Sequence, residues 1–372
     1  MNIIRKAIES FISRIWYERG QLSIFCAVIL SPLSALYQTF ADSNKRKGIA
    51  KQLDNLPIKI IVIGNITAGG TGKTPLLIAL AKRLTHEGWK PGIISRGHGG
   101  FYLKGQALPE WVTANSDPFW VGDEPVHIAQ ALPSTPIAVC PRRLEAVDIL
   151  VKDSDCDIIL SDDGLQHYAL PRDIEIVLVD AARGFGNNKL LPAGPLREPV
   201  ERLSSVNMVV FNGEPTGQLK AIVAEHKTPN YPLSMSITGL RSLNDETFFA
   251  ADLQPLNRYN VIHLVAGIGH PERFFNAVRL LLSSDENAPR IVEHAFPDHH
   301  RFKENDLHFN PQSSNAAIVM TAKDAVKCSG FNSGSNVNHS TSNANKLPLY
   351  TVDVSANIDD QMMTDLLAQL VN

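Results

Sequence analysis

Cysteine is scarce in this 372-residue chain. There are four (Cys26, Cys140, Cys156, Cys328), far apart and with no CxxC pair. That spacing speaks against a zinc site or a thiol–disulfide centre, and free thiols suit a reducing compartment. A strong net charge is also lacking. The formal −3 gives no footing for a nucleic-acid partner, and none is expected. No internal repeat of fixed period is present, and no charged residue occurs between Arg19 and Asp42. What remains is ordinary: 44% apolar and 20% charged residues, as in a globular protein of about two domains, each able to bury a core.

The most informative stretch is a hydrophobic run, Ile58-Lys59-Ile60-Ile61-Val62-Ile63, leading into Gly64-Asn65-Ile66-Thr67-Ala68-Gly69-Gly70-Thr71-Gly72-Lys73-Thr74. A Gly-rich turn between strand and helix aims backbone N–H groups at phosphate oxygens. Thr67, Ala68, Gly69, Gly70, Thr71, Gly72, Lys73 and Thr74 are therefore the expected nucleotide cradle. Lys73 would reach the β- and γ-phosphates and the Thr74 hydroxyl would hold Mg²⁺. The P-loop pattern wants Gly at position 67, where this chain has Thr. Pro75 and the helical spacing of Leu76, Leu77, Leu80, Ala81 and Leu84 predict a following helix. A Gly-rich turn with a surface lysine is the alternative.

The uncharged N-terminal run, Leu22 to Leu36, is short for a spanning helix and contains Pro32. Trp16, Tyr17 and Tyr37 flank it, Lys45-Arg46-Lys47 follow, and residues 1–50 carry +4 against −7 for the rest. A secretory signal is set aside, because it would carry a nucleotide enzyme away from its nucleotide. A membrane-surface anchor is expected over residues 1–45, with a buried core helix or a marginal spanning helix as alternatives.

Further apolar runs end in polar loops: Ile93-Ile94-Ser95, Cys156 to Ser161, Ile174 to Val179 and Val206 to Phe211. They predict a mostly parallel sheet covered on both faces, with the ligand at the strands' carboxyl ends. A second unit begins after about residue 213, with strands at Val261–Val265 and Ala317–Thr321 and a helix near Glu272–Leu282. The domains expected are thus 1–45, 46–213 and 214–372. Residues 331–346, rich in Asn and Ser, read as a surface loop.

Asp162 and Asp163 end a hydrophobic strand in the Walker B manner and are candidates for Mg²⁺, or else a strand-end turn. Asp123, in Val121-Gly122-Asp123-Glu124-Pro125, is either a helix N-cap or a general base for an acceptor hydroxyl. The cluster His294 to His300 lacks metal-ligand spacing. A histidine there that orients a carboxylate is the better functional reading, beside a plain polar loop. Arg143, and Arg197 in its Pro/Gly-rich loop, are candidates for phosphate or an acidic substrate group, surface arginine being the alternative. Lys323-Asp324 resembles the base-reading loops of GTPases only weakly, since order and spacing differ.

Taken in order, Gly64–Pro75, Ser95-Arg96-Gly97, Val121–Pro125, Ser161–His167, Leu191–Pro199, Ala266–Phe274, Phe296–His299 and Thr321–Lys327 resemble the tetraacyldisaccharide 4′-kinases of lipid A biosynthesis, over about residues 15 to 328. Thr67 belongs to that family's loop. His98 stands where Tyr is more usual, and 331–346 looks like an insertion. The resemblance implies two α/β/α sandwich units with mostly parallel sheets on a P-loop NTPase-like core, joined by a hinge, plus an N-terminal membrane-associated helix. It implies a kinase on the cytoplasmic face of a Gram-negative inner membrane. That kinase moves the γ-phosphate of ATP, with Mg²⁺, to the 4′-hydroxyl of a tetraacyldisaccharide 1-phosphate. By similarity Asp123 is the base and His299 its partner. Lys73 and Arg197 act on phosphate, and Thr74, Asp162 and Asp163 on the metal. Asn65, Gln166 and Arg143 are substrate-side contacts. A membrane-bound ATPase or GTPase switch would share the P-loop, and a soluble small-molecule kinase would not need residues 1–40.

Overall fold

The computed structural model describes residues 2–371 except 19, 53–55, 101–107, 244–246, 251–252, 283–287, 310–314, 329–330 and 332–346. The Asn/Ser-rich stretch expected as a loop therefore lies outside the described residues apart from Phe331.

The sheet explains why so many runs are apolar without alternation. Strands β1 (Lys59–Gly64), β2 (Pro91–Ser95), β3 (Glu110–Trp111), β4 (Ile137–Val139), β5 (Ile158–Asp162), β6 (Ile174–Asp180) and β7 (Met208–Asn212) form the first half. Within it only β3 runs antiparallel to its neighbour. Each central strand is buried on both faces. Ile61 and Ile63 enter one core with Leu76, Leu80 and Leu84 of α3 (Lys73–His86). Ile60 and Val62 enter the opposite core with Ala146, Val147 and Leu150 of α6 (Arg143–Asp153). Between these helices lie α4 (Pro118–Val121) and α5 (Asp123–Ala131).

After α7 (Gly217–Glu225) the chain forms β8 (Asn230–Ser242), which pairs with β7 and with the short β9 (Phe248–Ala250). Next come β10 (Val261–Ala266), α8 (Pro271–Leu282), β11 (Arg290–Ala295), β12 (Ala316–Thr321), α9 (Ala322–Ala325), β13 (Leu349–Ile358) and α10 (Asp360–Val371). All thirteen described strands belong to one sheet, ordered β11-β10-β12-β13-β8-β7-β6-β1-β5-β2-β4-β3, with β9 alongside β8.

Within the sheet, the described strands join the two halves through β8 and β13. β8 pairs with β7 over Asn230–Leu233, and β13 pairs with β12 over Leu349–Val352. Between those stretches, Ser234 to Ile237 face Val354 to Asn357 as a two-stranded antiparallel ribbon, with a register shift at Asp353/Val354. Each half has its own cores, and α10 crosses back: Met362, Met363, Leu366 and Leu370 pack in the same core as α3.

At the N-terminus, α1 (Asn2–Tyr17) and α2 (Gln21–Ile49) form a hairpin. Pro32 lies inside α2 without ending it, and α2 is long and apolar enough to cross a membrane. The buried-core alternative fails, because Leu22, Ile24, Phe25, Val28, Ile29, Leu33, Leu36 and Phe40 are all exposed. A few contacts hold the hairpin to the body. Trp16 Nε1 donates to the Pro192 carbonyl, Ser34 Oγ to that of Leu190, and Tyr37 Oη to that of Arg197.

Candidate active site

The parallel strands of the first half end together, so Asn65 after β1, Ser95 on β2, Asp162 on β5, Asp180 on β6 and Asn212 on β7 collect along one sheet edge. The phosphate loop is laced from behind to the Pro/Gly-rich loop. Ala68 N donates to Pro195 O at 2.7 Å, and Arg197 N to Ile66 O at 2.7 Å. Thr67 is buried against Leu196. Gly72 precedes α3 at φ 95°, and a Cβ there would meet Asn212 Nδ2 at 2.6 Å. Glycine is required at that point. The same Asn212 amide donates to Thr71 O at 2.8 Å. Thr71 Oγ1 is buried and makes no hydrogen bond among the described residues, so the loop holds a polar atom still owed a partner, as a phosphate site should.

Lys73 Nζ donates to Asn65 Oδ1 at 3.1 Å and pairs with Asp163 Oδ1 at 3.4 Å. Asn65 Nδ2 in turn donates to Gly69 O, so this residue sets both loop and lysine. Arg197 Nη1 reaches Asp163 Oδ2 at 3.2 Å and Gln166 Oε1 at 3.4 Å, and Gln166 Nε2 donates to Asn65 O and to Glu198. Arg143 turns inward. It is buried and donates to the Asp162 and Asp163 carbonyls at 2.7 and 3.0 Å, bracing the strand-end turn. Thr74 lies half-buried in the first turn of α3.

The two aspartates differ in charge preference. Burial, with the Glu124 and Asp163 carboxylates nearby, pushes Asp162 up to about 7. Burial also acts against the Asp163 charge, but Lys73 and Arg197 outweigh it and hold that carboxyl at about 2. A buried carboxylate group short of positive charge, at the end of the strand that pairs with β1, fits a hard divalent cation that keeps part of its water and phosphate shell. Among the described residues no group of three or more His, Cys, Asp or Glu could hold a metal alone. Phosphate oxygens would complete such a set.

Facing this edge is a contact between the halves. Asp123 is not the N-cap: Gly122 at φ 100° occupies that position, and the Asp123 carboxylate, 4% exposed, accepts the Glu124 N–H at 3.0 Å and faces the second half. Both its oxygens meet His299 Nδ1, at 3.0 and 3.1 Å. His299 follows β11 at φ 58°, a left-handed conformation that costs a non-glycine residue energy and is held here by its N–H bond to Gly267 O. Burial pushes the Asp123 carboxyl up, yet the His299 hydrogen bond and the Lys323 and Lys327 ammonium groups overcome it and hold it well below the usual carboxylate range. The Asp123 hydrogen bond raises His299 above its ordinary value. His98 stands edge-on to His299 with centroids 5.3 Å apart, so the Gly97–Gly100 loop covers the pair.

The other histidines of that cluster diverge. His294 bonds His263 at 2.9 Å and His300 bonds Asp306 at 3.0 Å, both away from Asp123. In the sequence, Lys327 ended the Thr321–Lys327 stretch without a role, and little weight fell on Lys323, which pairs with Glu124 at 2.9 Å and Asp298 at 3.7 Å. Asn212 likewise had no role there, although an amide ending a buried strand beside the P-loop was a usable signal.

A P-loop at the carboxyl ends of parallel strands, a strand-end aspartate pair, and a histidine-bound carboxylate opposite define a phosphoryl-transfer enzyme. Comparison narrows the class. The family model for tetraacyldisaccharide-1-P 4′-kinase matches residues 26–372. The tetraacyldisaccharide 4′-kinase of Nitrosococcus oceani is 44% identical over 328 residues, covering 87% of each chain. That of Alcanivorax borkumensis is 40% identical over 325 residues, covering 87% of this chain and 90% of its own. The solved structure of LpxK from Aquifex aeolicus in complex with ATP shares the fold, with TM-score 0.68 at 22% identity over 93% of this chain and 99% of that one. This chain belongs to the tetraacyldisaccharide 4′-kinase family.

Proposed function

We propose that the Asp123–His299 pair is the proton acceptor for this family's reaction, supplied by opposite halves of the molecule. The enzyme transfers the γ-phosphate of ATP to the 4′-hydroxyl of a tetraacyldisaccharide 1-phosphate in bacterial lipid A biosynthesis. A sugar hydroxyl is a poor nucleophile at neutral pH. As its oxygen bonds to the γ-phosphorus and the bond from that phosphorus to the bridging oxygen of ADP breaks, the hydroxyl proton passes to Asp123. With His299 beside it and its own carboxyl held low, Asp123 hands the proton on to His299 Nδ1, and the pair takes it up as a unit. The N–H groups of the loop and the Lys73 ammonium steady the transferring phosphate. Arg197 holds Asp163 and Lys73 in register. Thr74, Asp162 and Asp163 would hold Mg²⁺, which when bound neutralises charge on the β- and γ-phosphates. Asn65, Gln166 and Arg143 keep those groups in place.

The carrying observation is the 3.0 Å Asp123–His299 contact between the two halves. We divide the chain into units 46–213 and 214–372, with the ribbon of β8 and β13 as hinge, and take closure about it to exclude water. The exposed apolar face of α2 and the basic residues of the segment support docking of residues 1–45 on the cytoplasmic face of the inner membrane, with the acyl chains left in the bilayer. No nucleic-acid partner is required. The test is transfer of labelled γ-phosphate from Mg-ATP to the tetraacyldisaccharide 1-phosphate in detergent micelles. Labelled bisphosphorylated lipid is expected. Label released only as free phosphate would return the account to a nucleotide switch.

A further inference from the structure

A second cation crosses from the far half to Asp123. Lys327, in the 3-10 turn Val326–Cys328 after α9, is 5% exposed, and its Nζ lies 3.5 Å from Asp123 Oδ2. The same Nζ pairs with Asp324 Oδ1 at 2.8 Å without the alignment of a hydrogen bond, and it makes no aligned hydrogen bond among the described residues. Its ammonium also sits over the Phe302 ring at 5.2 Å, which leaves water little access. Asp324, fully buried, is fixed on its other oxygen by the Gly267 N–H at 2.8 Å and the Thr321 hydroxyl at 2.7 Å. Gly267 O then accepts from His299 N at 3.2 Å. The contacts close a ring: Asp123, Lys327, Asp324, Gly267, His299 and back to Asp123. One member comes from the first half and the rest from the second.

We propose that Lys327 is a positioning residue for phosphoryl transfer, a buried ammonium that fixes the orientation and charge of the Asp123–His299 pair when the halves come together. The inference rests on the reading of Asp123 as the base. A buried ammonium whose donors are not fully spent is costly unless it serves a neighbouring anion. Asp324 alone could neutralise it, yet Nζ stands between two carboxylates, one of them the base. Lys327 thereby disfavours a proton on Asp123 and leaves His299 as its resting place. The other charged and titratable groups around the pair are Lys323 and Asp324 from α9, Glu124 and His127 from α5, and Asp298 and His98 from the flanking loops.

Removing a positive charge near the pair raises the pair's proton affinity wherever the proton sits. The acid limb of kcat/KM then moves to higher pH, by about one unit for a cation at this range. Lys327→Met alone would strand Asp324 as a buried unpaired charge, so the decisive variant is Lys327→Met with Asp324→Asn. It is expected to keep the wild-type melting temperature and KM for ATP, to lose about tenfold or more in kcat, and to show the limb moved the same way but by less than that unit, because the Asp324 charge beyond the lysine leaves with it. Lys327→Arg, which keeps the charge, should hold the limb near its wild-type pH. A folded double variant with wild-type kcat and an unmoved limb would reduce Lys327 to a brace for Asp324. An arginine variant shifted as far as the double variant would also overturn the proposal. Asp123→Asn run alongside separates the two readings. If it stays active the base assignment fails. If it is inactive while the double variant behaves as wild type, only the role of Lys327 fails.

Discussion

At the scale of single residues, the site works by pushing neighbouring carboxylates apart in proton affinity. Asp162 is raised to about 7 by burial and like charge, while Asp123, equally buried, is lowered because His299, Lys323 and Lys327 surround it. Their local sequences, Ser-Asp-Asp-Gly and Gly-Asp-Glu-Pro, do not carry this difference, because the cations beside Asp123 lie some two hundred positions away in sequence. The pair has a pH consequence. His299 is raised, so it stays imidazolium up to a pH above the ordinary value of about 6.5. Under the proposed acceptor role, the pair below that apparent value already holds a proton and cannot take the substrate's. We therefore predict that kcat/KM falls as pH drops through a value above 6.5. In His299→Gln the maximum falls and this limb moves to much lower pH, leaving a depressed carboxylate alone. The check is a pH–rate profile of both proteins. The linked stability runs the other way. The contribution of His299 is fully present below about 6.5 and is lost as pH rises through its raised value.

At the scale of elements, the phosphate loop was legible and the joint between the halves was not. Ile58 to Thr74 announce strand, turn and helix because burial on both sheet faces demands an unbroken apolar run, and Gly72 must adopt a left-handed φ. Gly72→Ala should strain that turn and drive Asn212 off the Thr71 carbonyl. The expectation is a loss of about 1–3 kcal/mol in stability and weaker ATP binding, read by thermal melting and calorimetry. Asp123 was undecided from sequence because a carboxylate before Glu-Pro suits an N-cap equally well. Only the placement of Gly122 at that position frees it. β8 and β13 escaped notice although Leu233, Met235 and Ile237 alternate with serines, a period-2 signal in plain view. Their significance lies in pairing across more than a hundred residues, which no local window contains. The same holds for α10. Leu366 is fully buried in the core of α3, so Leu366→Ala should cost about 2–5 kcal/mol and melt the nucleotide-binding half together with the chain's end. A denaturation curve followed by ATP-site protection would register both at once.

At the scale of the whole molecule, three parts share one task. The first half carries the proposed phosphate loop, the second brings His299, Lys323 and Lys327, and the N-terminal hairpin leaves an apolar face uncovered. Tyr37 donates to the Arg197 carbonyl, so the hairpin is fixed directly behind a residue that contacts Asp163. Replacing Phe25, Val28 and Ile29 with serine removes exposed apolar surface without touching that contact. It should lower partition into anionic vesicles by tenfold or more while leaving ATP binding in detergent unchanged, as a co-sedimentation assay would register. Composition and the uncharged run foretold such a segment, but they could not separate a buried helix from an exposed one. That depends on which neighbours the fold supplies. The proposed chemistry turns on Asp123. The measurement is single-turnover transfer of labelled γ-phosphate to the tetraacyldisaccharide 1-phosphate at saturating Mg-ATP, for Asp123→Asn beside the unaltered protein. A fall of about 10²–10⁴-fold in rate with ATP affinity nearly unchanged is the predicted result. A rate near that of the unaltered protein would contradict it.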